Sequence, residues 1–319
     1  MSFEQSPRVE QSESAEPLLE QRLKLRKQYE SLFVSLNTSG ILELLPEKEA
    51  LGVVGIDGKE YPIPEYETVV RIMQEQEPRL KEKIAQGFVK LQMTPIAMPL
   101  IVLKDRVAQI ILKHYQEKKL FAQKRNPDDP DIPLELNTDQ PLYMWDTLIT
   151  ADTSEKLIYY PKAFQHDHGG LTKMQLLEQS QHSPFPGWNV VLLEDLAFLP
   201  QENKGQVIGG RRQLENNHSP RDYLQTRTQE MYRFESGRII EDWLTLFAQH
   251  LETSNQVIND WHDNNATWLD GNYMSDSDIV PDGGWDRDVR RLNVYGNAPD
   301  NRYERYGGCS AVRVWLPKT

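Results

Sequence analysis

Apolar residues recur at helical spacing through the first third of the chain. Leu18, Leu19, Leu23, Leu25, Tyr29, Leu32 and Phe33 fall near one face and predict a helix over residues 18–36. "GIDGKEYPIPEYE" breaks that pattern with Gly and Pro. Helical spacing resumes over 65–91, with Val69, Ile72, Met73, Leu80, Ile84, Phe88 and Val89 on one face. Pro95 and Pro99 punctuate it. A third helix is predicted over 100–120, turning Leu103, Val107, Ile110, Ile111 and Tyr115 inward. The charged positions between these stripes read as solvated faces.

"KRNPDDPDIPLELNTDQP" is a Pro/Asp-rich connector, and the pattern changes after it. "MWDTLI", "KLIYYP" and "GWNVVLLED" are short apolar runs bounded by Gly, Pro and Asp, the signature of strands. The segment from Ser219 to Ile258 is helical in two pieces separated at Gly237. Ser219 and Pro220 open the first as N-cap and first helical residue. Trp243, Leu244, Leu246, Phe247 and Leu251 give the second an apolar face. From Gly283 the chain runs through "GGWDRDVRRLNVYGNAPDNRYERYGGCSAVRV", irregular and loop-like, then closes on an alternating strand at Ala311–Trp315. The expected class is α+β. A disordered tail (1–16) precedes a helical N-terminal region (17–125) and a mixed C-terminal domain (140–319).

A net charge of −12 argues against a general nucleic-acid binder, which presents a basic face. The single cysteine, Cys309, excludes an internal disulfide framework and any multi-cysteine metal site, and fits a reducing compartment. No run of about 18 apolar residues predicts a membrane span. "MSFEQSPRVEQSESAEPL" lacks the apolar segment of a secretory signal, so the expected location is cytoplasmic, with an unusual export route left open.

The candidate chemistry is sparse. His166 and His168 in "QHDHGG" could share a strand face and ligate a metal, but no third ligand follows; a polar turn is the alternative. "DGNYMSDSD" (270–278) is rich in oxygen ligands but lacks the order and closing Glu of a calcium loop, and is read as an Asx-rich turn, with calcium the alternative. "NKGQVIGGRRQLE" (203–215) offers glycines and basic residues to a phosphate but lacks the Gly-Lys-Ser/Thr ending of a P-loop. Cys309 has no histidine near it in sequence, and no catalytic constellation, metal site or cofactor is assigned.

The C-terminal segment resembles the end of C-type lectin-like domains of the formylglycine-generating-enzyme type. Those close on a Gly-Gly-Ser-Trp segment, an Arg-containing stretch and a Gly-Phe-Arg-Val-like strand. Gly283, Gly284 and Trp285 match the first, without the Ser; Gly307, Arg313 and Val314 match the last. Within that fold the chain is similar to the variable (target) proteins of diversity-generating retroelements, notably a group from candidate-phylum bacteria. The shared motifs are "IGGRRQLE" (208–215), "EDWL" (241–244), "LETSNQVIND" (251–260) and "SAVRV" (310–314).

The resemblance implies a binding protein, not an enzyme, because the oxidase of this fold needs a cysteine pair to bind copper. It implies a protein ligand, no cofactor, and a hypervariable region at about 282–310, rewritten by reverse transcription with errors at adenines. Asn codons changed in that way never yield Lys, Glu, Gln, Met or Trp. Between Asp282 and Ser310 those five types occur only as Trp285 and Glu304, the latter a departure from the pattern. The ligand-contacting residues so implied are Asp282, Asp286, Asp288, Val289, Asn293, Tyr295, Asn297, Asp300, Asn301, Tyr303 and Tyr306. They are expected to cluster on one exposed surface. A scaffold or assembly protein acting through the N-terminal helices is the alternative.

Overall fold

The computed structural model describes residues 15–316 except Ala197 and Asn264, and describes only the backbone of 15–23. The predicted tail lies mostly outside these residues. Helix α1 (Ala15–Thr38) is followed by strands β1 (Glu43–Leu45), β2 (Ala50–Val54) and β3 (Glu60–Pro62). Next come α2 (Tyr66–Glu75), α3 (Glu77–Ala85), β4 (Phe88–Thr94) and α4 (Leu100–Gln116). Then follow β5 (Leu142–Met144), α5 (Asp146–Ile149), β6 (Leu157–Tyr159), α6 (Lys173–Ser180), β7 (Asn189–Glu194), β8 (Val207–Ile208) and β9 (Arg211–Arg212). Helix α7 (Pro220–Thr226), β10 (Glu235–Gly237) and α8 (Ile240–Ser254) lead into β11 (Ala266–Trp268) and β12 (Asn272–Met274). Strands β13 (Val280–Asp286), β14 (Arg291–Asn297), β15 (Tyr306–Gly308) and β16 (Ser310–Arg313) close the order. The chain is therefore α+β.

Four local readings need correction. The segment 65–91 is not one helix: it breaks at Gln76 (φ −101°, ψ 12°), again after Ala85, and continues as β4. Phe88, Val89 and Leu91 fit a helical stripe and a strand alike, so periodicity alone could not separate the two. "MWDTLI" is strand only up to Met144; Asp146–Ile149 is a short helix. The loop-like stretch after Gly283 contains two regular seven-residue strands, β13 and β14, paired antiparallel from Val280↔Asn297 to Asp286↔Arg291. The first helical piece after Ser219 holds only over α7 and gives way to strand β10 at Glu235. The α4 stripe and the Ser219 cap match the structure. Leu103, Val107, Ile110 and Ile111 of α4 are fully buried, and Ser219 caps α7 in a reciprocal box with Asp222.

Two sheets organise the molecule. One runs β10-β16-β7-β4, all antiparallel. The other runs β15-β11-β13-β14-β5, with parallel pairs at both edges. Helix α8 serves both. Leu246 packs with Val191, Leu193 and Ala311 of the first sheet, and the Trp243 indole lies against Gly283 of the second. A Cβ at Gly283 would sit 2.6 Å from that ring, so the contact requires glycine. One apolar core runs from Leu32 through α4, β4, β7 and α8 to Val314. It includes Leu134 and Leu136 of the Pro/Asp-rich connector.

Buried ion pairs stitch distant segments together. Lys83 of α3 contacts Glu235 of β10 at 2.9 Å, and Arg211 of β9 reaches both Glu235 (2.7 Å) and Glu194 of β7 (2.9 Å). The Arg211 guanidinium lies over the rings of Phe88 and Tyr232. A second cluster joins Lys173 to Asp152 (2.8 Å) and Glu241 (3.0 Å), with Tyr159 donating to Glu241 at 2.6 Å. Arg227 of α7 pairs with buried Asp270 and donates to Ser310 Oγ at 3.0 Å. Removing one partner from such a cluster strands the others without compensation. Arg211→Ala is therefore expected to cost about 3–5 kcal/mol in urea or thermal unfolding. Arg212→Ala, next to it but half exposed, should cost under about 1 kcal/mol.

A candidate ligand-binding face

Period-two alternation divides the β13–β14 hairpin into two faces. Gly283, Trp285, Leu292 and Val294 point into the core. Asp282, Gly284, Asp286, Arg291, Asn293, Tyr295 and Asn297 share the other face. Registers across the sheet extend that face. Trp268 of β11 sits opposite Asp282, Tyr143 of β5 opposite Asn293, and Tyr306 of β15 beside Ala266. One side of a five-stranded sheet thus carries Tyr143, Tyr295, Trp268 and Tyr306 around Asp282.

Trp261 closes over this surface from a short 3₁₀ turn (Trp261–Asp263). Its ring stacks on Tyr295 at 5.9 Å and approaches Tyr306 at 6.3 Å. It can do so because Gly284 has no side chain: a Cβ there would meet the indole nitrogen at 2.0 Å. The turn is held by Arg287, which donates to Asp260 (2.7 Å) and Asp263 (3.1 Å), and by Trp285 N donating to Asn259 O (2.9 Å). Tyr303 extends the aromatic group, with its ring 5.1 Å from Tyr306 and 5.9 Å from Trp268. Arg291 lies over Tyr143 at 4.5 Å.

Beneath the rings runs a polar chain. Asn297 Nδ2 donates to Asp282 Oδ2 at 2.8 Å; Tyr303 OH and Asn301 Nδ2 donate to Asn297 Oδ1 at 3.1 and 3.4 Å. Asp282 is fully buried, and its Oδ1 has no hydrogen-bond partner among the described residues. Burial pushes its carboxyl up to about 7, opposed by the nearby Asn297 amide and Tyr306 hydroxyl. The same carboxylate, after burial, holds the Tyr306 phenol well above its ordinary range.

Of the eleven residues implied by the resemblance, Asp282, Asn293, Tyr295, Asn297, Asn301, Tyr303 and Tyr306 come together here. Two depart from the expected exposure. Asp282 and Asn293 are wholly buried, because alternation puts them under the aromatic rings and Asn293 accepts from Arg291 Nε at 2.9 Å. Asp286, Asp288 and Val289 lie at the hairpin turn. There Asp286 Oδ1 accepts from the Asp288 and Val289 amides, and His262 Nε2 lies 3.3 Å from Asp288. The ligand atoms of His262, Asp286 and Asp288 fall within 4.8 Å of one another. Asp300 turns aside to Arg221, at 2.6 Å, which holds its carboxyl below the usual range. The sequence reading missed Trp261, Trp268 and Tyr143; only their aromatic character flagged them.

Several polar atoms of the other candidate segments are committed elsewhere. His168 Nδ1 accepts from Gly170 N in a loop, not a strand. In 270–278, Asp270 pairs with Arg227, Asn272 Oδ1 caps Ile240 N, Asp276 meets Lys156, and Asp278 accepts from Tyr273. Arg211 of "IGGRRQLE" is held by two carboxylates, and Gly209 and Gly210 take positive φ (56° and 80°). Burial pushes the Cys309 thiol above its ordinary range, which disfavours the nucleophilic thiolate. The chain matches no protein-family model, no curated protein and no solved structure.

The buried Asp282 gives a pH prediction. Its pKa is higher folded than unfolded, so the folded state binds the extra proton, and stability falls as pH rises from about 4 to about 7. Asp282→Asn removes that penalty while keeping an acceptor for Asn297. The variant is expected to melt above the parent at pH 8, by a margin worth up to roughly 4 kcal/mol, and the gap should close toward pH 4. Paired melts across that range check it.

Proposed function

We propose that the chain is a ligand-binding protein that presents the β13–β14 face and its flanking loops, within a C-type lectin-like domain, as a diversified surface for a protein partner. The observation that carries this reading is the gathering of Tyr295, Asn297, Asn301, Tyr303 and Tyr306 on one sheet face over a closed core. They lie in sequence between Trp285 and Val312, which are fully buried. Tyr supplies rigid amphipathic contact and Asn adaptable hydrogen bonds, the chemistry of antibody paratopes. Tyr295, Tyr303, Tyr306 and Trp261 are the energetic anchors, since aromatic residues dominate interface hot spots. Asp282 and Asn293 act from beneath, orienting Asn297 and Arg291.

The diversification half of the proposal is tested by sequencing the DNA that flanks the gene. A reverse transcriptase gene and an adenine-rich near-repeat of the segment encoding 282–310 are expected; neither being present removes that half and leaves an ordinary binding face. The display half is tested by stability. Tyr303→Ala and Val289→Ala, at residues 40% and 39% exposed, should each shift unfolding by under about 1 kcal/mol. Trp285→Ala and Val312→Ala should each cost about 2–5 kcal/mol. Large losses at Tyr303 and Val289 would make the face part of the core.

A further inference from the structure

Behind the aromatic face, between α8 and the β4–β7–β16 sheet, lies a cavity of about 160 Å³. Its lining includes Lys90, Glu194, Asp195, Arg238, His250 and Asn259. Glu194 and Asn259 are already engaged. Both Glu194 oxygens are held by Arg211, at 2.9 and 3.2 Å. Asn259 Oδ1 accepts from Trp243 Nε1 at 2.8 Å. The donors are not. Arg238 is 5% exposed, and its Nε and Nη2 have no hydrogen-bond partner among the described residues, nor does His250 Nε2.

The opposing charges are poorly placed. Asp195, which acts on Lys90, is exposed. Asp242, which feels Arg238, accepts instead from Asn189 Nδ2 at 3.0 Å. Burial lowers the Lys90 ammonium, Asp195 opposes that shift and Arg238 adds to it to a smaller degree; burial, then Lys90, lowers the His250 imidazole. Lys90 of β4, His250 of α8 and Arg238 of the link between β10 and α8 therefore converge on one cavity, with the Asp195 carboxylate acting on Lys90. A guanidinium cannot shed its charge, and burying it unpaired is costly.

We propose that this cavity binds a small oxyanion, a carboxylate or a phosphate, held by Arg238 and Lys90. The volume is well above the roughly 10–15 Å³ that a single water requires, so it admits an ion of a few heavy atoms. Charge-assisted hydrogen bonds from a guanidinium and an ammonium are the usual means of holding such groups. The site is separate from the ligand-display face and does not rest on that reading. Cys309 at its wall leads from the β15 strand carrying Tyr306, and Asn259 precedes the turn carrying Trp261. Occupancy would brace both from behind.

The test is thermal unfolding of the full chain against inorganic phosphate and against acetate, at constant ionic strength set with sodium chloride. At concentrations well above the dissociation constant, at least one of the two is expected to raise Tm by about 3 °C or more over the chloride control. Arg238→Gln and Lys90→Gln should abolish most of that rise; Lys90, only partly buried, keeps the test available if Arg238→Gln does not fold. Phosphate and acetate separate the two sources of oxyanion. No rise with either, or an undiminished rise in every variant that folds, overturns the proposal and leaves the cavity to water.

Discussion

Two indole rings against one glycine pair hold this architecture in place. Gly283 admits Trp243 from the core side of β13, and Gly284 admits Trp261 from the outer side. Alternation guarantees that consecutive residues face opposite ways, so two adjacent glycines let the same strand be approached from both faces. The inner contact fixes α8 against the five-stranded sheet, and α8 in turn reaches the four-stranded sheet through Leu246. The outer contact fixes Trp261 beside Tyr295 and Tyr306. Any side chain at either position would lift an aromatic ring away and separate the layers.

Much of the frame could be read from the sequence because its signal is local. The apolar stripe of α4, the run that forms β7 and the cap of α7 each lie within a short window. The buried charges could not be read so. Lys83 and Lys173 look like solvated helix residues; both are fully buried because Glu235 and Glu241 reach them from more than sixty positions away. No periodicity encodes such a partner. Residues 283–297 look irregular for a related reason. The glycines and asparagines of β13 and β14 serve close ring contacts and a polar face, which masks their strand alternation in composition. The resemblance marks Asp282 and Asn293 as ligand-contacting, but their burial follows from register, which the sequence does not print.

The candidate face joins rigidity with polarity. Its rings are braced by one another and by Arg287, Asp260 and Asn259 from the adjacent turn. Its polar chain ends in a carboxyl whose pKa burial raises. A surface fixed in this way loses little conformational freedom on meeting a partner, which favours affinity without a large contact area.

Strand β16 also follows, in sequence, every other strand of its sheet, yet it lies inside that sheet, between β10 and β7. Residues 282–309 must therefore be read through in frame before β7 and β10 can acquire their shared neighbour. A chain cut or shifted in frame within that stretch loses Val312 from the core and leaves two exposed hydrogen-bonding edges. Folding acts as a check on the reading frame: a chain broken there is left open to aggregation and proteolysis.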